Sequence, residues 1–235
     1  MLPRCSRLWS PTLLVLVASV CLPSVDFAQT PIMRAPSALS YRITTVPSQF
    51  DKSCRGGRAK LYDECSDQSR VFMAAAQVAV SENKVLLVSY GAEWCIWCHV
   101  FAKYIHGAKT RFEYTFGSPS SPEARQTATI FEREKQDVTE DAAALSTYVA
   151  HSFVVVHIEG QYAPNGRAVL EKTGAVPFMG NSIPFIFTVD RNRQYAAHFN
   201  YELVEVRRDT NDWYRGYDRR KLLTELQRMH DAASR

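Results

Sequence analysis

Short, strongly apolar runs alternate along this chain with segments in which apolar residues recur every three or four positions. The apolar runs are typical of strands buried in a sheet, and the longer period is typical of helices with one buried face. We predict strands at 41–46, 84–90, 153–158, 185–189 and 195–199. We predict helices at 66–83, 95–105, 167–172 and 219–233. Parallel strands joined by helices and completed by an antiparallel hairpin form a mixed α/β sheet, which is the fold class we expect.

The segment 107–152 interrupts this alternation and is predicted to be an insert between the second helix and the third strand. It begins with a loop containing glycine and proline, and two helices are expected after it, at 123–136 and 140–150. One interpretation is a helical cap that buries sheet surface. The other is a border of the functional site that selects the partner. In that case three aromatic residues would line a groove: Phe112, Tyr114 and Phe116.

The N-terminal segment, residues 1–28, has the pattern of a secretory signal peptide. Two arginines precede an apolar run at 12–22, which is shorter than the roughly 20 residues that a membrane-spanning helix needs. Ala28 provides a small residue for cleavage, and Cys21 leaves a lipoprotein as an alternative. We therefore expect a mature chain that is periplasmic or secreted. It would carry an N-terminal extension at 29–60 and no further segment apolar enough to cross a membrane.

Composition and charge favour a globular domain over a nucleic-acid-binding module. The 235 residues include 28 Lys and Arg against 24 Asp and Glu, and the formal net charge is +4. The positive residues are scattered without a basic stripe or a ladder of aromatic residues, so we expect no nucleic-acid partner. No pattern indicates a nucleotide or flavin site, and we expect neither a bound cofactor nor a metal.

Export changes how the cysteines are interpreted. Two of the six lie in the predicted signal peptide, which leaves Cys54, Cys65, Cys95 and Cys98. An even number of cysteines in an oxidising compartment favours disulfides. Cys54 and Cys65 enclose a short loop before the first long helix, and we expect a structural disulfide there. A second redox pair, two free thiols and a metal site are the alternatives.

Cys95 and Cys98 lie directly after a predicted strand and at the start of a predicted helix. Unpaired backbone N–H groups and the positive end of the helix dipole stabilise a thiolate at that place, which makes a thiol more reactive at neutral pH. The two-residue spacer lets the two sulfurs meet across the first helical turn. We expect Cys95 to be the exposed attacking thiol and Cys98 to be the deeper thiol that resolves the mixed disulfide.

The segment 86–98, LLVSYGAEWCIWC, resembles the active-site segment of the thioredoxin superfamily, including Glu93 and Trp94 before the first cysteine. It is most similar to bacterial periplasmic members that carry a Trp between the cysteines. The resemblance covers 61–106 and 153–233, and it implies a thioredoxin fold over 61–235 that carries the insert. It also implies a cis-proline beside the cysteine pair. Ile183–Pro184 is the preferred candidate because a strand and a hairpin follow it directly, and Pro177 competes.

The chain also departs from the thioredoxin pattern. The family's buried acid on the strand before the cysteines is replaced by Ser89, so Glu93 or water is expected to handle the proton. The residues between the cysteines are Ile96 and Trp97, and no cation lies inside the motif. His99 follows Cys98 and could help a thiolate. Weak stabilisation of the thiolate favours a reductase or isomerase over a strong oxidant.

The resemblance implies a thiol–disulfide oxidoreductase. Its partners would be exported client proteins with thiols or disulfides and an upstream redox protein, and Trp94 and Trp97 would offer an apolar platform for a client peptide. Two alternatives belong to other classes. One is a zinc- or copper-binding module that uses Cys95, Cys98, His99 and, as a further ligand, Cys54 or Cys65. The other is a non-catalytic docking domain that uses Trp97 and the insert.

Overall fold

Strands and helices alternate in the computed structural model, which describes residues 42–57, 59–108, 112–116, 126–130, 138–206 and 216–235. The predicted signal peptide and residues 29–41 lie outside the described residues. The helices are α1 Gln68–Ser81, α2 Ile96–Ile105, α3 Val138–Ser152, α4 Gly166–Thr173, α5 Tyr201–Val204 and α6 Arg219–Ala233. The strands are β1 Thr44–Val46, β2 Val85–Gly91, β3 Phe112–Phe116, β4 Gln126–Ile130, β5 Phe153–Glu159, β6 Phe185–Val189, β7 Tyr195–His198, β8 Glu205–Val206 and β9 Gly216–Tyr217.

Five of these strands form one mixed sheet in the order β1-β5-β2-β6-β7. β1, β5 and β2 run parallel to one another. β6 is antiparallel to β2, and β7 is antiparallel to β6. β2 is central, and in its register Ser89 lies opposite His157 of β5 and Ile186 of β6. The carboxyl end of β2 therefore opens directly into the loop that carries the first cysteine. The expected mixed α/β sheet is confirmed.

The alternation of side chains along β2 divides the core into two layers. Leu86 and Val88 face α1 and α4, whereas Leu87 faces α2, α3 and α6. Because both faces of the sheet are covered, the central strands are apolar along nearly their whole length. Ser89 stands out since it is a fully buried polar residue on the α2 face.

Capping residues mark the first and last turns of the helices. Asp67 caps α1 by accepting a hydrogen bond from the backbone N–H of Arg70. Gly174 follows α4 with φ of 72°, in the left-handed region that glycine adopts at helix ends. The final helix, α6, spans the predicted residues 219–233.

The predicted helix at 123–136 is wrong over 126–130, where β4 pairs antiparallel with β3 in a two-stranded sheet. Threonines at 127 and 129 and the isoleucine at 130 prefer extended backbone, and pairing with β3 satisfies the backbone N–H and C=O groups of alternate residues of β4. The second predicted helix of the insert is present as α3. Its Leu145 and Val149 are fully buried in the core beside α2 and β5, so this part of the insert belongs to the domain core.

The side chains of Phe112, Tyr114 and Phe116 lie outside the described part of the structure, so the proposed groove stays a prediction. Within the ranges described above, no helix has the length and apolar character needed to cross a bilayer.

Candidate functional site

Cys95 lies between β2 and α2 and is the N-cap residue of the helix. Its backbone is extended, and its sulfur accepts a hydrogen bond from the N–H of Cys98 at 3.3 Å. The sulfurs of Cys95 and Cys98 lie 2.50 Å apart, and the Cα atoms of the two residues are 5.4 Å apart. The strand places the first sulfur, and the first turn of α2 places the second beneath it.

The expectation that Cys95 is exposed is wrong in this structure. Cys95 retains 3% of its accessible surface and Cys98 retains none. Four partly buried apolar side chains pack around the pair: Leu61, Trp94, Trp97 and Ile183. Leu61 and Ile183 are distant from the cysteines in sequence, so only tertiary folding brings these two side chains to the pair. Any molecule that reaches the sulfur of Cys95 must therefore pass these apolar side chains.

The Ile183–Pro184 peptide bond is cis and faces the cysteine pair. The carbonyl oxygen of Ile183 lies 3.6 Å from the sulfur of Cys95. The hydroxyl of Tyr201 donates to the carbonyl of Pro184 and ties α5 to this turn. Pro177, the competing candidate, lies instead in a 3-10 turn at Val176–Phe178. A second cis bond, Val46–Pro47, follows β1 and was not expected from the sequence.

Glu93 binds the backbone of the segment that precedes α1. Its carboxylate accepts hydrogen bonds from the N–H groups of Lys60, Leu61 and Tyr62 at 2.9 to 3.0 Å. Burial raises the pKa of Glu93 to about 7, although the hydrogen bonds from the three N–H groups act in the opposite direction and lower it. The role of this side chain in the structure is to hold residues 60–62 against the active-site loop.

His99 is buried beneath the same loop. Its Nε2 lies 2.7 Å from the carbonyl oxygen of Glu93 and 3.7 Å from the Glu93 carboxylate. Because a carbonyl oxygen only accepts, this nitrogen carries the hydrogen. Burial lowers the pKa of His99 to about 4. The ring is therefore neutral at neutral pH and brings no positive charge to a thiolate.

A disulfide joins Cys54 and Cys65, as the sequence predicts, with Cα atoms 6.0 Å apart. The loop that it closes carries Leu61 and Tyr62 onto the Cys95–Cys98 pair. Arg55 of the same loop lies over the ring of Tyr162, 4.4 Å from its centroid. The disulfide thus closes the loop that packs against the candidate site.

Tyr62 is the residue that the sequence analysis missed. It is fully buried, its hydroxyl lies 2.9 Å from the hydroxyl of Ser89, and it packs with Cys98. Gly91 makes room for this contact. A Cβ at position 91 would lie 2.5 Å from the Cys98 sulfur and 2.7 Å from the Tyr62 oxygen. No periodicity marks Tyr62 in its polar loop, although an aromatic residue beside a predicted disulfide was a signal worth following.

Two further ionisable residues of β5 lie near this end of the sheet. His157 is fully buried, both of its ring nitrogens are without a hydrogen-bond partner among the described residues, and its ring meets Tyr62 edge-on. Burial lowers the pKa of His157 to about 3, so this ring is also neutral. Glu159 accepts from the N–H groups of the loop after β5, and burial raises its pKa.

The two tryptophans of the motif differ in how they are held. The indole N–H of Trp94 donates to the side-chain oxygen of Gln161 at 2.7 Å, which fixes it on the loop after β5. Trp97 is partly buried beside the cysteines on the first turn of α2. Ile96 is also partly buried, and it packs against the core on the α2 side of the sheet. Their use as a client platform stays a prediction.

A metal-binding arrangement is not found in the part of the chain that the structure describes. No group of three His, Cys, Asp or Glu side chains converges there. Comparison with known proteins adds no assignment, since no protein-family model and no curated protein matches the chain.

Proposed function

We propose that this chain is a thioredoxin-fold thiol–disulfide oxidoreductase that acts on exported proteins through Cys95 and Cys98. One observation carries the proposal. A Cys-X-X-Cys pair caps a helix at the carboxyl end of a central strand, and a cis Ile183–Pro184 bond faces its first sulfur. The strand order, with β2 central and the last two strands antiparallel, supports the thioredoxin fold.

The chemistry follows from this arrangement. In the reduced protein the Cys95 thiolate attacks a client disulfide, one client sulfur leaves, and a mixed disulfide forms. The N–H of Cys98 already points at the Cys95 sulfur, at 3.3 Å, and would stabilise its negative charge. Cys98 then attacks the Cys95 sulfur and releases the client. No bound cofactor is needed because the two cysteines carry both electrons.

The environment of the pair favours a reductase or isomerase. His99 is neutral, and Ile96 and Trp97 offer no charge between the cysteines. Without a cation between the two cysteines the reduced thiolate form is less stabilised, which lowers the oxidising power of the pair. A reductase requires an upstream redox protein as electron source. This role fits a periplasmic or secreted chain, as the predicted signal peptide implies.

The test is reduction of a model protein disulfide by the purified chain with dithiothreitol as the electron source. Cys95→Ser should abolish the catalysed rate, and Cys98→Ser should trap a mixed disulfide. Cys54→Ala with Cys65→Ala is the comparison variant: it keeps Cys95 and Cys98 and should still catalyse reduction, although the rate should change because the loop is no longer closed. Wild-type protein that reduces the disulfide no faster than dithiothreitol alone would refute the proposal.

A further inference from the structure

We propose that Tyr62 and Ser89 form a hydroxyl pair that hydrogen-bonds the sulfur of Cys98 when Cys98 becomes a thiolate. The pair would occupy the role that an acid has at this strand position in the thioredoxin pattern. This inference rests on the proposed function and names the groups that serve its second step.

The first argument is the position of the two atoms. The sulfur of Cys98 and the oxygen of Tyr62 lie 2.5 and 2.7 Å from one point, the place of a Cβ at residue 91. Because glycine has no Cβ, both atoms can come this close to residue 91, and the two distances place the hydroxyl oxygen and the sulfur at most about 5.2 Å apart. Both residues are fully buried, which excludes bulk water as a steady partner for the sulfur.

The second argument is the direction of the hydrogen bonds. Each hydroxyl can donate once, and the oxygens of Tyr62 and Ser89 are 2.9 Å apart. When Ser89 donates to Tyr62, the hydrogen of Tyr62 is available for the sulfur. Burial raises the pKa of Tyr62, so it keeps its hydrogen and acts as a donor rather than as a base.

The third argument is that Tyr62 is held from two sides. Its backbone N–H donates to Glu93 at 2.9 Å, and its ring packs edge-on against His157 with centroids 5.2 Å apart. The Cys54–Cys65 disulfide closes the loop that delivers it. A donor held in place in this way stabilises a charge without reorganisation when the charge forms.

The hydroxyl pair would serve the step in which Cys98 resolves the mixed disulfide. In the mixed disulfide, Cys98 loses its thiol proton and its sulfur attacks the sulfur of Cys95. The bond from Cys95 to the client breaks, and the client sulfur leaves with the electron pair and takes up one proton. The cysteine pair is oxidised by two electrons, the client disulfide is reduced, and the exchange in this step is neutral in protons overall.

The experiment separates the two steps in one trace. Protein reduced at Cys95 and Cys98, with the Cys54–Cys65 disulfide left intact, is mixed with the aromatic disulfide 5,5′-dithiobis(2-nitrobenzoic acid), which releases one coloured thiolate when Cys95 attacks and a second when Cys98 resolves. The variants are Tyr62→Phe and Ser89→Ala. The matched control is Tyr90→Phe, because the hydroxyl of Tyr90 donates to the carbonyl of Gly160 on the other face of the sheet.

Tyr62→Phe should raise the pH midpoint of the second release by about one unit, since a hydrogen bond to a charged group changes an equilibrium about tenfold. A more basic thiolate is also the better nucleophile, and this recovers about threefold. The second release should therefore be about threefold slower at neutral pH and about threefold faster above both midpoints. Ser89→Ala should give a smaller shift in the same direction, and Tyr90→Phe should give none.

Several other titratable groups face this site: Glu64, Glu93, His99, His157, Glu159, Tyr201 and Tyr217. They are the same in every protein compared, so the difference between profiles isolates the hydroxyl. Coincident profiles for wild type and Tyr62→Phe would overturn the inference, as would equal slowing of both releases at all pH values. Failure of the proposed function looks different, because wild type itself would then show no second release.

Discussion

The Cys54–Cys65 disulfide is expected to stabilise the fold by restricting the unfolded chain. The two cysteines are 11 positions apart, so the closed loop has about 12 residues. The loop-entropy relation gives about 9.5 cal/mol/K for a loop of this length, which is about 3 kcal/mol at 25 °C. We therefore expect Cys54→Ala with Cys65→Ala to lower the free energy of unfolding by about 3 kcal/mol.

The assay is urea unfolding of the two oxidised proteins without reductant, with the linear dependence on urea measured for both. In a thermal scan the same loss should lower Tm by about 6 to 12 °C for a domain of this size. Dithiothreitol provides an internal control. It opens the Cys95–Cys98 bond in both proteins but the Cys54–Cys65 bond only in wild type, so the difference in stability should disappear.

The same variant should also expose the Cys95–Cys98 pair, because the closed loop holds Leu61 and Tyr62 against it. The Cys95–Cys98 bond should then react faster with dithiothreitol. A stability loss below about 1 kcal/mol together with unchanged reactivity would refute the reasoning. It would show that Glu93 and the core contacts hold the segment without help from the disulfide.

Three further predictions concern buried groups. Burial raises the pKa of Glu93 to about 7, so the folded chain keeps this proton where the unfolded chain loses it, and stability falls as the pH rises. As the pH rises from about 5 to about 8, the free energy of unfolding measured in urea should fall by about 2 kcal/mol more in wild type than in Glu93→Gln. The same pH dependence of stability in both proteins would contradict this. Burial lowers the pKa of His157 to about 3, so the folded protein loses stability as the pH falls below the pKa of the unfolded histidine. Between pH 8 and pH 5, the free energy of unfolding should fall by about 2 kcal/mol more in wild type than in His157→Leu. An identical acid dependence of the two proteins would count against a buried neutral ring. Leu145→Ala should cost about 3 kcal/mol because Leu145 is fully buried, whereas Leu203→Ala, at a residue 55% exposed, should stay within about 0.5 kcal/mol. Equal unfolding free energies for the two leucine variants would mean that α3 is not part of the core.

Short-range patterns in the sequence were sufficient for the elements that carry the cysteines. The apolar run at 84–90 predicted β2, and apolar residues recurring every three or four positions predicted α1 and α6. These elements form where local preference and burial agree, so neighbouring residues contain the needed information. The insert shows the limit, because charged residues around β4 suggested a helix where pairing with β3 imposes a strand.

The sequence by itself determined which residues stand at the helix start, since Cys95 and Cys98 follow β2 directly in the chain. Only the tertiary structure decided what surrounds them. Tyr62, Ile183 and His157 lie far from Cys95 in sequence, and the sheet register, the Cys54–Cys65 disulfide and the turn at Pro184 bring them together. Burial of the cysteines and the shifts in pKa of Glu93, His99 and His157 follow from that assembly. Desolvation depends on every group that excludes water from a site, and no local pattern of residues encodes that sum.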